Sequence, residues 1–213
     1  MFPKLYEEVD HMLTPKQNML EVIKGGNPDR FVNQYEAVQL LFHPFMYANP
    51  LLQPGQENVV NAWGVTNTFP KGGPGSFPVH TPDKIVVKDI EDWKDYVHAP
   101  SLKFTQDQWD MVKAQYDAVD GEQAFKAAFV APGIFEQTHH LCEISNALVY
   151  YITNPDEMHD LIKYLTEWEL ELAEGICSNL HPDAIFHHDD WGGLDSTFMS
   201  PAMFDEFLLE PYK

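Results

Sequence analysis

Two short apolar runs bracket one long amphipathic helix, and this arrangement constrains the fold more than any other feature of the chain. Residues 124–131 read as a buried strand that Pro132-Gly133 ends. Residues 184–188 read as a second. Between them, Asn154-Pro155-Asp156-Glu157 is a helix start: a capping residue, a proline at the first helical position, then acids in the first turn. Met158, Leu161, Ile162, Leu165, Trp168, Leu172 and Ile176 then keep a 3.6-residue period. Strand, helix and strand at this spacing make a parallel pair with a helical crossover, hence an α/β fold. In such folds the loops that leave the strands share one end of the sheet, and that end carries the chemistry.

The rest of the chain extends the pattern. Thr14-Pro15-Lys16-Gln17 predicts a capped helix to about residue 24, with Met19, Leu20 and Ile23 as its apolar stripe and Gly25-Gly26 as its stop. Residues 27–80 are irregular and hold seven of the sixteen prolines. Short strands are expected near 31–35 and 59–66. Residues 90–97 read as helical. Thr105 opens another helix, with Gln108 in the capping-box position and Trp109, Val112 and Tyr116 on one face. A helix or helix pair covers about 135–152, and Ser200-Pro201 opens a last one carrying Phe204, Phe207 and Leu208. A closed (β/α)8 barrel takes about 250 residues, and roughly half of its strands are visible in these 213. The expectation is therefore one barrel domain over 1–213, continuing in a longer protein.

Composition removes several function classes. Thirteen Lys and Arg against 33 Asp and Glu give a net charge of −20, which works against nucleic acid and anionic membrane as partners. No apolar run approaches the ~20 residues of a membrane span, and residues 1–12 carry no signal-peptide pattern. Cys142 and Cys177 lack CxxC or CxH spacing and read as structural, in keeping with a reducing cytoplasm. No Walker loop, GxGxxG, GxSxG or D-x-H-x-x-G stretch occurs. Arg30 is the only arginine, so the chain is poorly equipped for bidentate capture of a polyanion.

The strongest chemical signal is HHDDWGG at 187–193, directly after a strand. Alternation sends His188 and Asp190 to one side of the strand and His187 and Asp189 to the other. Trp191 follows, and Gly192-Gly193 allow a sharp turn. The competing reading is that the acids cap a turn and the histidines are held by hydrogen bonds. A second cluster comprises Glu136, His139, His140 and Glu143. On one helix they share a face at steps of three, one and three, a spacing able to ligate a metal or to decorate an amphipathic surface. At least one of the four is expected to touch ligand. Trp63-Gly64-Val65 and the loop 71–80 come third, as a lid over a pocket or as ordinary surface.

These residues resemble a known superfamily. Thr14-Pro15-Lys16-Gln17-Asn18 with Asn27-Pro28-Asp29-Arg30 is similar to the opening "TPRE" helix and "PDR" turn of uroporphyrinogen decarboxylase-like proteins. Asp189-Asp190-Trp191-Gly192, Ser200-Pro201-Ala202-Met203-Phe204 and Pro211-Tyr212-Lys213 resemble their central segment. Trp63-Gly64-Val65 and Pro78-Val79-His80 resemble the methyltransferase-like branch. The resemblance implies a (β/α)8 TIM barrel, of which this is the N-terminal part. True decarboxylases carry an arginine-rich "RQAGRY" loop soon after the first strand. Phe31-Val32-Asn33-Gln34-Tyr35-Glu36 is expected in that place, without arginine, which favours the methyltransferase branch over tetrapyrrole decarboxylation.

The implied activity is methyl transfer between a small methylated substrate, such as a methoxylated compound, and the corrinoid of a partner protein, as in O-demethylases. Asp189, Asp190 and His188 are then the catalytic candidates. His187, Trp191, Glu136, His139, His140, Glu143 and Trp63 are the substrate-binding ones. Where the family uses zinc, its His-x-Cys and later Cys ligands would lie beyond residue 213, so no metal ligand is assigned. A non-catalytic partial barrel is the remaining alternative; its exposed strand edges predict dimers or aggregates.

Overall fold

The computed structural model describes residues 12–33, 35–49 and 51–213. The N-terminal reading over residues 1–11 lies outside the described residues. In chain order the elements are α1 (Pro15–Lys24), β1 (Val38–Leu41), α2 (Pro44–Ala48), β2 (Val59–Val60), β3 (Thr66–Thr68), β4 (Phe77–Pro78) and α3 (Trp93–Tyr96). Then come α4 (Gln106–Asp117), β5 (Phe125–Val130), α5 (Ile134–Cys142), α6 (Ile144–Thr153), α7 (Pro155–Leu180), β6 (Ala184–His187) and α8 (Pro201–Phe207).

The protein is mixed α/β. Its main sheet is three-stranded and parallel, in the order β1-β5-β6. Val38 pairs with Phe125 and Leu41 with Ala128, while Ala127 pairs with Ala184 and Val130 with His187. A second, antiparallel sheet, β2-β3-β4, lies in the insertion between β1 and α3. Among the described residues the strands do not close a barrel.

The crossovers cover one face of the main sheet. Leu41, Ala128 and Val130 pack there against Trp109, Val112 and Tyr116 of α4 and Leu172, Ile176 and Leu180 of α7. Burying such a layer removes enough apolar surface to supply about 1.5–3 kcal/mol per large side chain. Phe42, Phe129 and Phe186 share the opposite face, with ring centroids 6.2 and 5.9 Å apart. A second core joins Trp63, Val65, Val87, Ile90 and Trp93 of the insertion to α5, α6, α7 and α8.

Local signals set most helix boundaries. Thr14 and Thr105 each complete a capping box, with Gln17 and Gln108. Ser200 accepts the Met203 N–H at the start of α8. Asn154 differs: it makes no side-chain cap on α7, and its side-chain Oδ1 accepts instead from Thr153 Oγ1 at 2.7 Å. The proline and first-turn acids that follow it still start the helix where expected.

Several expectations are corrected. The described part of 31–35 forms no strand. The first strand is Val38–Leu41, held to β5 by parallel pairing that a local pattern cannot reveal. Residues 31–36 therefore precede the first strand, and the segment that follows it is Phe42-His43-Pro44-Phe45-Met46-Tyr47, which also lacks arginine. Arg30 is committed elsewhere: it donates to Glu36 at 2.6 Å, Asp29 at 2.8 Å and the Leu13 carbonyl at 3.0 Å. The strand expected over 59–66 splits into β2 and β3 about a turn in which Asn61 Oδ1 accepts from the backbone of Trp63 and Val65. In α1 the buried residue is Asn18, which bridges Arg30 and Asp29, while Ile23 is exposed. No helix among the described residues is long and apolar enough to cross a membrane.

Candidate active site

The loops leaving β1, β5 and β6 converge at one end of the main sheet. There, the backbone N–H groups of Phe135 and Glu136 in the first turn of α5 have no intrahelical partner. Gly133, the helix N-cap, offers no side chain to satisfy them. Asp189, arriving from β6, does so instead: Phe135 N–H donates to its Oδ2 at 2.9 Å and Glu136 N–H to its Oδ1 at 2.8 Å. Trp191 Nε1 donates to Oδ2 at 2.9 Å, and the Tyr212 hydroxyl donates to the same oxygen. Burial, and then the charge of Asp189, push the Tyr212 phenol up, so it stays a hydroxyl. Gly133 must be glycine here. A Cβ on it would lie 2.4 Å from Asp189 Cβ and 2.8 Å from His187 Cε1.

The two histidines take opposite faces of the sheet, as alternation requires. His187 lies on the helix-covered side, 2.7 Å from Glu169 Oε2 of α7. Burial works against its charge, but Glu169, Asp189 and Glu136 outweigh it and raise its pKa above the usual histidine value. Burial likewise raises Glu169, which the His187 pair only partly offsets. His188 lies on the open side near Phe129, with Nδ1 3.0 Å from Glu136 Oε2. Glu136 is raised by burial, against the pull of His188 and with the help of Asp189 and Asp190.

Glu136, His140 and His188 line an open cleft of about 300 Å³ at this end of the sheet. Met46 of α2, Leu51 just after it, Asn67 of β3 and Ser76 close its other sides. The insertion thus forms one wall of the cleft. His80 Nε2, just past β4, lies 3.1 Å from the His140 carbonyl.

Of the predicted residues, the structure brings together Glu136, His139, His140, His187, His188, Asp189 and Trp191. Asp190 is exposed beside them. His139 stacks edge-on against Phe135 and His140. Burial holds the His139 ring at about 4 and the His140 ring at about 3, so both are neutral near pH 7. Glu143 is a correction. It does not continue the α5 face, because its φ of 72° breaks the helix, and its carboxylate caps α6 by accepting the Asn146 N–H at 3.1 Å. Trp63 is buried and lies behind the cleft rather than at its rim. Among the described residues no three His, Cys, Asp or Glu side chains group closely enough to hold a metal ion. The described residues alone thus offer no zinc ligand set.

Two residues that pattern reading passed over stand out in the structure. His43 follows β1 by two positions, and Gln137 adjoins Glu136. Both are buried, at 1% and 4% exposure. The signal for His43 was its place at a strand end before a proline-initiated helix, legible only once the strand is put at 38–41. No family model, curated protein or solved structure matches this chain.

Proposed function

We propose that the chain is a methyltransferase acting between a small methylated substrate and a partner protein's corrinoid, and that its sheet is a segment of a (β/α)8 barrel wall. The barrel reading is supported by three parallel strands that neighbour one another in chain order with their crossover helices on one face. The observation that carries the function is the Glu136–His188 pair at the end of the strands, facing a cleft large enough for a small organic substrate.

An O-methyl group leaves poorly unless its oxygen gains a proton. Glu136 is suited to hold one, because burial and the charges of Asp189 and Asp190 raise its pKa. His188 bonds the same carboxyl and can return the proton after transfer. Asp189 acts as a positioning residue: its oxygens are engaged by four donors and hold the turn that carries Glu136. The partner's corrinoid supplies the group that accepts or delivers the methyl. Arg30 is tied to Asp29 and Glu36, so the cleft lacks a guanidinium for a substrate with many carboxylates.

The test is anaerobic incubation with 2-methoxyphenol and reduced cobalamin, following methylcobalamin absorbance. Transfer is expected, with Glu136→Gln slower by about 10²-fold, and most so at the low-pH side, where the wild-type carboxyl carries its proton. No transfer from methoxylated, methylamine or thiol donors refutes the proposal. Uroporphyrinogen is expected to give no coproporphyrinogen.

A further inference from the structure

The wall of the cleft that the insertion supplies carries two asparagines whose orientation the backbone fixes. Asn61 lies in the turn between β2 and β3. Its Oδ1 accepts from the Trp63 N–H at 2.9 Å and from the Val65 N–H at 3.0 Å. Asn49 closes α2, and its Oδ1 accepts from the Ala62 N–H of the same turn at 3.0 Å. A backbone N–H can only donate, so each amide oxygen is directed at the turn and each NH2 group away from it. Among the described residues neither NH2 group meets an acceptor. Both side chains are half-buried, both line the cleft, and neither Nδ2 is sealed from solvent. Holding the turn requires only the oxygens, a task that aspartate performs as well. Two donors that the fold does not use thus open on the same space as Glu136 and His188.

We infer that Asn49 and Asn61 determine specificity, their amides donating to a second, uncharged oxygen of the substrate while its methoxy oxygen meets Glu136. Chemistry selects this class. An amide N–H requires an acceptor. The residues that line the cleft include Glu136 but no lysine or arginine, so a carboxylate finds no ammonium or guanidinium there. A hydroxyl or ether oxygen accepts from an amide without one. Leu51, Leu52 and Phe129 supply apolar surface for a flat body carrying both oxygens. The inference rests on the proposed function and deepens it: the methoxylated compounds that this site takes are those with a second oxygen on the ring.

The experiment is isothermal titration calorimetry of 2-methoxyphenol, 4-methoxyphenol and methoxybenzene with the full chain, without corrinoid. Methoxybenzene is the most apolar of the three, so burial alone favours it. Wild type is expected to bind at least one of the phenols about fivefold or more tighter than methoxybenzene, the worth of a net hydrogen bond. Asn49→Asp and Asn61→Asp keep the oxygen that the turn uses and remove the NH2 group. Each should lower that preference, and the double variant should abolish it, with the melting temperature and the affinity for methoxybenzene unchanged. A smaller preference in wild type, or one that survives the double substitution, overturns the inference. So does a lower melting temperature with the preference intact, which assigns both amides to the turn alone. Preferential binding without methyl transfer removes the proposed reaction and leaves the role of the amides. Transfer that runs equally well from methoxybenzene does the reverse.

Discussion

Asp189→Asn isolates the role of the β6 carboxylate in holding the site. The wild-type Oδ2 accepts from Phe135 N–H, Trp191 Nε1 and Tyr212, while Oδ1 accepts from Glu136 N–H at 2.8 Å. Asparagine satisfies the larger set only by putting its oxygen in the Oδ2 position. Its NH2 group then faces the Glu136 N–H, donor against donor. The variant loses one charge-assisted bond outright and weakens three, a cost of about 2 kcal/mol. Asp189→Ala loses all four, at about 4 kcal/mol. For a chain of this size, 1 kcal/mol moves the midpoint by roughly 2–4 °C. The expected shifts are thus about 4–8 °C for asparagine and roughly 8–16 °C for alanine. Thermal unfolding followed by near-UV circular dichroism measures both. If Asp189→Asn melts within 1 °C of wild type, the carboxylate does not anchor the α5 turn.

Gly133→Ala forces a Cβ to within 2.4 Å of Asp189 Cβ, so it should destabilise the protein and disturb the same anchor; a melt like wild type would contradict the close packing there. Asp190→Ala removes an exposed carboxylate; the melt should stay unchanged while methyl transfer falls at least tenfold, and full activity would remove Asp190 from the site. Between about pH 4 and 6.5 stability should rise with pH. His43 and His139 are held near 4 and His140 near 3, so the unfolded chain binds up to three more protons in that window. His187, Glu136 and Glu169 run the other way: the raised pKa of His187 gives stability that is full below 6.5 and lost as pH rises through the folded value, and the two raised carboxyls do the same from about 4.5 upward. Urea midpoints across pH 4–8 test both, and a profile below 6.5 that stays flat in the Glu136→Gln, Glu169→Gln double variant as well refutes the buried-neutral assignment. The outer edges of β1 and β6 are unpaired among the described residues, so light scattering should find dimers or larger species; a monodisperse monomer would count against that reading.

What the sequence made legible was local. The capping boxes at Thr14 and Thr105 and the Ser200 cap involve atoms three residues apart, and the α7 stripe repeats along a single helix. The strands flanking α7 were legible for the same reason. The failures have physical causes of longer range. β1 is four residues long and defined by pairing with β5, nearly ninety residues away in the chain. Glu143 holds a φ of 72° that nothing in its residue type announces. Asp189 read as a catalytic acid because its position is right, but only the structure brings it to the two N–H groups of α5. His43 and Gln137 sit in no motif at all.

The anchor matters because the first turn of α5 carries Glu136 into the cleft. Glu136 and Gln137 are adjacent on the helix and about 100° apart around it, so Glu136 faces His188 and the cleft while Gln137 is buried behind it. A displacement of the first turn moves both together, and about 1 Å of misplacement can cost 10²-fold in rate. The variants should therefore separate. Asp190→Ala loses turnover with its melt unchanged, and Asp189→Asn loses both turnover and stability, since it releases the turn that sets Glu136. If Asp189→Asn abolished transfer while melting like wild type, Asp189 would have to act on the substrate directly, and the assignment of the proton to Glu136 would be wrong.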